Sequence, residues 1–177
     1  MAEFDFVIDC ETMGTHADAP ICSIAVAAVR DGEEIVDQMK VVMAPSQWLG
    51  TIDPETVAWW LQQTDDARAA LLTGGSTLDE ALDDLEDFIF QHCRLDEAKV
   101  WGFGAVADIV WLESAFRRLN RDIPWTYKNV RCLRTLCEET GTDWKVFIPE
   151  GQAHHDPLVD ALAEAKGLIA ALASIAA

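Results

Sequence analysis

Residues 4–11, FDFVIDCE, place the tightest limit on what this chain can become. Phe4, Phe6 and Ile8 alternate with Asp5, Val7 and Asp9, the period of two that marks a half-buried β-strand. Residues i and i+2 share a strand face, so Asp9 and Glu11 point the same way. Two carboxylates at the end of an apolar strand are costly to bury unless they are paired or hold a cation. Such a strand predicts a sheet with negative charge gathered at one of its ends.

The rest of the chain supplies partners for that strand. Ile21–Arg30 reads as a second strand, Asp31 and Gly32 as a turn, and residues 34–44 as a third strand, so short connections predict an antiparallel meander. Asp53 and Pro54 are a cap and a first helical position, opening DPETVAWWLQQT, and TDDARAALL follows as a further short helix. Thr77 and Glu80 stand in a capping-box relation, followed by a stripe of Leu78, Leu82, Leu85 and Ile89. Residues 99–105 form a short apolar strand broken by Gly102 and Gly104. It runs into a helix with Ile109, Leu112, Phe116 and Leu119 inward and Asp108 at the junction. A strand near residues 127–131, a helix around 133–139 and a loop through Pro149 and Gly151 lead to a last helix, started by Asp156 and Pro157.

This order predicts an α/β fold with a mixed sheet, a three-strand antiparallel meander plus two further strands, flanked by helices. With 177 residues and no linker or internal repeat, residues 1–177 are expected to form a single domain. The apolar tail, residues 165–177, either packs on that sheet or buries against a second subunit, which leaves a homodimer open.

The N-terminal MAEFDF has no basic region followed by an apolar one, and the apolar runs are too short to cross a bilayer, so a cytoplasmic protein without membrane association is expected. Cys10, Cys22, Cys93, Cys132 and Cys137 are odd in number and contain no CxxC pair, which favours reduced, packed thiols over a disulfide frame or zinc site. The net charge of −18 works against binding a long polyanion, whose affinity comes largely from Lys and Arg. Of 13 basic residues, six fall between Arg117 and Arg134: Arg117, Arg118, Arg121, Lys128, Arg131 and Arg134. That stretch either tracks a short strand of nucleic acid or is the solvated face of a helix.

With 31 acidic residues, an acid-x-acid pair arises by chance about five times in such a chain, so Asp9 and Glu11 gain weight from context rather than spacing. They end an apolar strand, Asp108 follows another, and Asp160 lies in the first turns of a helix made largely of Ala and Leu. The ordered set D-x-E, D, H-x4-D, formed by Asp9, Glu11, Asp108, His155 and Asp160, resembles the DEDDh 3′→5′ exonucleases of the ribonuclease H-like superfamily. The spacing selects His155 over His154. DCETMGT, DPETVAWWLQQT, VWGFGAVAD and HHDPLVDA are similar to the branch containing exoribonuclease AS-like proteins and phage exodeoxyribonuclease A, and the likeness covers nearly the whole chain. Phe103, where relatives often carry Asn, and Asn129, near which they carry an acid, depart from the pattern.

The resemblance implies a ribonuclease H-like sheet and hydrolysis of terminal phosphodiesters at single-stranded 3′ ends, RNA slightly ahead of DNA. Water would attack in line with the help of two Mg²⁺ or Mn²⁺ ions, which oxygen ligands suit. It implies Asp9 as the bridge between the ions, Glu11, Asp108 and Asp160 as further ligands, and His155 as the base that takes the proton of the attacking water. Thr12, Met13 and Gly14 would hold the terminal nucleotide, with Met13 as an apolar wedge. Trp59, Trp60 and Gln63 would meet a base by stacking and hydrogen bonding, one of the two tryptophans being buried. Phe103 and Arg131 are the remaining candidates for substrate contact. Two other readings fit the same residues: a noncatalytic nucleic-acid- or protein-binding domain, and a hydrolase of very short oligonucleotides.

Overall fold

A computed structural model describes residues 2–150 and 155–176. Strands β1 (Phe4–Thr12), β2 (Ile21–Arg30) and β3 (Glu34–Val42) form the antiparallel meander. Strands β4 (Lys99–Gly102) and β5 (Val130–Cys132) add in parallel on the other side of β1, giving the order β3-β2-β1-β4-β5. This is the mixed sheet expected from the element order. Among the described residues six α-helices accompany it: α1 (Pro54–Trp60), α2 (Asp65–Leu72), α3 (Leu78–His92), α4 (Asp108–Arg118), α5 (Leu133–Thr140) and α6 (Pro157–Ala176).

The helix starts follow local chemistry. Asp53 accepts from the Glu55 amide at the head of α1, Thr64 caps α2, and Thr77 and Glu80 complete the capping box of α3, each satisfying amides that a first turn leaves unpaired. The strand ends differ from expectation where backbone partners change. β3 stops at Val42 rather than Ala44 because Met43 turns to bridge Ser76, and the Ala44 amide donates to the Ser76 carbonyl at 2.9 Å. β4 stops at Gly102 because residues 103–107 turn. Tyr127–Asn129 winds into a 3₁₀ turn, so β5 begins only at Val130. Gly151, in the loop expected before the last helix, lies outside the described residues.

Alternation along β1 divides the core in two. Phe6, Ile8 and Cys10 face Leu78, Leu82 and Leu85 of α3 and Ile109, Leu112 and Phe116 of α4. Val7 faces the other way and packs with Ala27, Val29 and Trp101 against Leu133 of α5 and Leu168 of α6. The C-terminal helix thus covers the sheet of its own chain. Gly167 permits its close approach to the 3₁₀ turn Trp144–Phe147, since a Cβ there would stand 2.7 Å from the Trp144 Cβ. The same alternation directs Asp9 and Glu11 toward α6.

Candidate active site

Three elements bring four carboxylates to the C-terminal end of β1. Asp9 and Glu11 come from the strand, Asp108 is the first residue of α4, and Asp160 lies in the first turn of α6. Asp108 is buried, and the Cys10 amide donates to its Oδ1 at 3.3 Å. Gly102 leaves room for it: a Cβ at that position would meet Asp108 Oδ2 at 2.9 Å. His155 sits just before α6 with φ 71°, a left-handed conformation uncommon for a residue with a side chain. Its amide donates to Asp160 Oδ2 at 3.1 Å, and its ring stands edge-on to Trp59 with centroids 4.7 Å apart. Ligand atoms of Glu11, His155 and Asp160 all lie within 4.8 Å of one another.

The electrostatics are those of crowded, dehydrated carboxylates. Burial, then the charges of Asp160 and Asp108, push Glu11 up to about 8. Burial pushes Asp108 up to about 7 against the opposing hydrogen bond from the Cys10 amide. Asp9 is raised well above the usual carboxylate range by burial first, then by Glu164, Glu11, Asp108 and Asp160. Its Oδ2 is inaccessible and accepts no hydrogen bond. Lys40 and Arg134 offset part of this charge, at Glu11 and Asp108 respectively. A set of carboxylate oxygens with one imidazole at its edge, including an orphaned buried oxygen, suits a hard divalent cation such as Mg²⁺ or Mn²⁺. These residues therefore fit the metals that the sequence implies.

A stability effect follows. A carboxyl group whose folded-state pKa lies above its unfolded value favours the folded state below the unfolded pKa, and that contribution is lost as pH rises through the folded pKa. For Glu11 the window runs from 4.5 to about 8, and for Asp108 from 3.8 to about 7. Protein in EDTA is expected to lose about 5–10 °C of Tm between about pH 5 and about pH 8, a loss of a few kcal/mol in a chain of this size. Saturating Mg²⁺ or Mn²⁺ should restore most of it. Calorimetric scans with and without metal across this range check the expectation; a Tm that is flat in EDTA would refute it.

A cavity of about 410 Å³ adjoins the acids, lined by Glu11, Thr12, Gly14, Asp53, Trp59 and Trp60 among others. Trp59 is 41% exposed, whereas Trp60 is buried and donates its Nε1–H to the Thr12 carbonyl at 3.0 Å. Gln63 Nε2 donates to the Trp59 carbonyl, which holds its amide on the helix it follows. Met13 does not project as a wedge: its side chain is buried with Cys22, Trp60, Ala67 and Leu71, because α1 and α2 close over that end of the sheet. Phe103 turns its ring to Trp144 and to the Arg134 guanidinium, while its backbone supports the Asp108 carboxylate.

Arg131 is not brought to the acids. It donates to the Val130 and Lys128 carbonyls and lines a second cavity with Asp5 and Trp101, toward the start of β1. The arginine stretch is likewise occupied by the protein itself. Arg117 pairs with Glu113, Arg118 binds Asp18 and the Leu49 carbonyl, and Arg121 is clamped by Asp79, Asp83 and Glu86. Arg118 and Arg121 thus join helices and loops, whereas the Arg117 pair lies within α4 with its guanidinium facing solvent, so these three do not form a free track for a strand. Two residues near the acids were not singled out from sequence: Lys40, which pairs with Asp156 at 2.8 Å, and Glu164, one helical turn beyond Asp160; Arg134, named there only as part of the basic stretch, acts on Asp108. The i, i+4 spacing to Asp160 was the available signal for Glu164.

A family profile described as the 3′-5′ exoribonuclease Rv2179c-like domain matches residues 5–172. No curated protein matches the chain. Among solved structures, the nuclease domain of 3′hExo, a DEDDh family member bound to rAMP, is similar with a TM-score of 0.63 and 15% identity, over 97% of this chain and 92% of that one. Exonuclease I of Methylocaldum szegediense is similar with a TM-score of 0.67 and 14% identity, over 94% of this chain and 40% of that one. E. coli exonuclease I in complex with a dT13 oligonucleotide has a TM-score of 0.61 and 17% identity, over 98% and 40%. The chain thus spans 40% of the length of the exonuclease I chains it matches. These likenesses establish the ribonuclease H-like fold of DEDDh exonucleases. Among the described residues, no helix is long and apolar enough to cross a membrane.

Proposed function

Because this chain belongs to the Rv2179c-like 3′-5′ exoribonuclease family, we propose that it removes nucleotides stepwise from single-stranded 3′ ends, RNA ahead of DNA, by metal-dependent attack of water. One observation carries the reading. Ligand atoms of Glu11, His155 and Asp160 gather within 4.8 Å beside a buried Asp9 oxygen that has no hydrogen-bond partner. The family description supports the preference for RNA.

In this reading Asp9, Glu11, Asp108 and Asp160 hold two Mg²⁺ or Mn²⁺ ions, which when bound stabilise the attacking and leaving oxygens of an in-line displacement. His155 accepts the proton of the attacking water, with its ring held against Trp59 and its backbone tied to Asp160. Thr12 and Gly14 seat the terminal nucleotide in the 410 Å³ cavity, a volume within the range of about 300–1,000 Å³ typical of small-ligand sites. The exposed face of Trp59 stacks on a base, a contact of roughly 1–3 kcal/mol. Buried Trp60 serves as the support beneath it.

Occupied arginines and a net charge of −18 favour a second, narrower reading, in which very short oligonucleotides are the preferred substrates. Matched 5′-labelled RNA and DNA strands of about two and about twenty residues test both, since long strands need more phosphate contacts. With Mg²⁺ or Mn²⁺ we expect ladders shortened from the 3′ end, faster on RNA, and no cleavage in EDTA. Equal rates per end at both lengths would remove the short-substrate reading. No shortening of either sugar with metal present would remove the exonuclease assignment.

A further inference from the structure

We propose that Glu164 is a fifth carboxylate of the metal centre, placing one oxygen on a divalent cation beside Asp9, Asp108 and Asp160. The inference rests on the metal-dependent reading above and extends its ligand set. Glu164 follows Asp160 by four residues, which puts both on one face of α6, the face turned to the sheet. Its neighbours on that face, Ala161, Ala165 and Leu168, are all fully buried, so the helix offers this acid no route to water.

Glu164 itself is 3% exposed, and its Oε2 is inaccessible and without a hydrogen-bond partner. The groups that act on it most after its own burial are Asp108 and Asp160, with Arg134 opposing them and Glu11 adding to them. In turn, Glu164 is the charge that weighs most on Asp9. Two buried carboxylates, each with an orphaned oxygen and each dominated electrostatically by the same cluster, would be a costly arrangement for packing alone. An acid kept only for the core would be better replaced by Leu or Met, which the surrounding Ala and Leu residues would accommodate. A divalent cation held by Glu164 would lift that cost.

Manganese titration without substrate tests this, in wild-type protein and in the Glu164→Gln and Glu164→Ala variants, together with Tm in EDTA. Glu164→Gln keeps the shape of the side chain and removes its charge. Both variants should match or exceed the wild-type Tm in EDTA and bind Mn²⁺ about 10- to 100-fold more weakly, the loss typical when a group that orients or supplements a metal site is removed. The metal-induced rise in Tm should shrink accordingly. Wild-type Mn²⁺ affinity and stoichiometry in both variants would overturn the proposal and leave Glu164 as a neutral acid packed behind the ligands. Absence of Mn²⁺ binding in the wild type would instead overturn the metal-dependent reading itself, and this inference with it.

Discussion

Asp108→Asn is expected to lower turnover by roughly 10³-fold or more while raising the Tm of the protein in EDTA. The loss reflects several kcal/mol of charge stabilisation by bound metal, each 1.36 kcal/mol being tenfold in rate. The gain in stability has a separate cause. Asp108 is buried, and dehydration disfavours its ionised form against the opposing hydrogen bond from the Cys10 amide and the charge of Arg134. An amide carries no such penalty, and its oxygen still accepts the Cys10 amide hydrogen bond. Asp9→Asn should behave alike, since Asp9 is raised well above the usual carboxylate range by burial and then by the charges of Glu164, Glu11, Asp108 and Asp160. Steady-state rates on labelled RNA, paired with melting curves in EDTA, measure both halves. A variant that is stable yet within a few-fold of wild-type rate would take Asp108 out of the metal site.

For His155→Ala we expect a fall in kcat of about 10²- to 10⁴-fold, the usual contribution of a positioned proton acceptor. The accompanying measurement is Mn²⁺ affinity, because the His155 ring lies within the same 4.8 Å group as Glu11 and Asp160. A base acting on water leaves affinity near wild type. A ligand does not. Parallel losses of kcat and Mn²⁺ affinity would therefore reassign His155 to the metal shell, and an unchanged kcat would place the proton transfer elsewhere.

Much of this architecture was legible because its determinants are local. The bounds of β2, the capping box at Thr77 and Glu80, and the Asp53–Pro54 helix start are each written within a few adjacent residues. So was the shared face of Asp9 and Glu11, which alternation alone dictates. What escaped the sequence depends on distant partners. Arg121 meets Asp79, 42 residues away, and once three carboxylates close on it the guanidinium is lost to any ligand. Nothing in the residues around Arg121 announces α3 as its neighbour.

Met13 follows the same logic, since its burial depends on α1 and α2 closing over the sheet end. Arg131 was misjudged because a three-residue strand has no pattern of its own to set register. Pairing opposite Trp101 leaves the side chain near Asp5, at the far end of β1. Glu164 is a different case. Its spacing from Asp160 was visible, but an acid in a helix is ordinarily solvated, and only the sheet packed against α6 makes this one interior.

Helix α6 covers β1–β3 on one side of the sheet, beside α5, and also positions Asp160 and Glu164, so scaffold and proposed chemistry share one cooperative unit. Amide protons along its inner face should exchange only through openings that dismantle both together, which makes partly folded, still active forms of this molecule inaccessible.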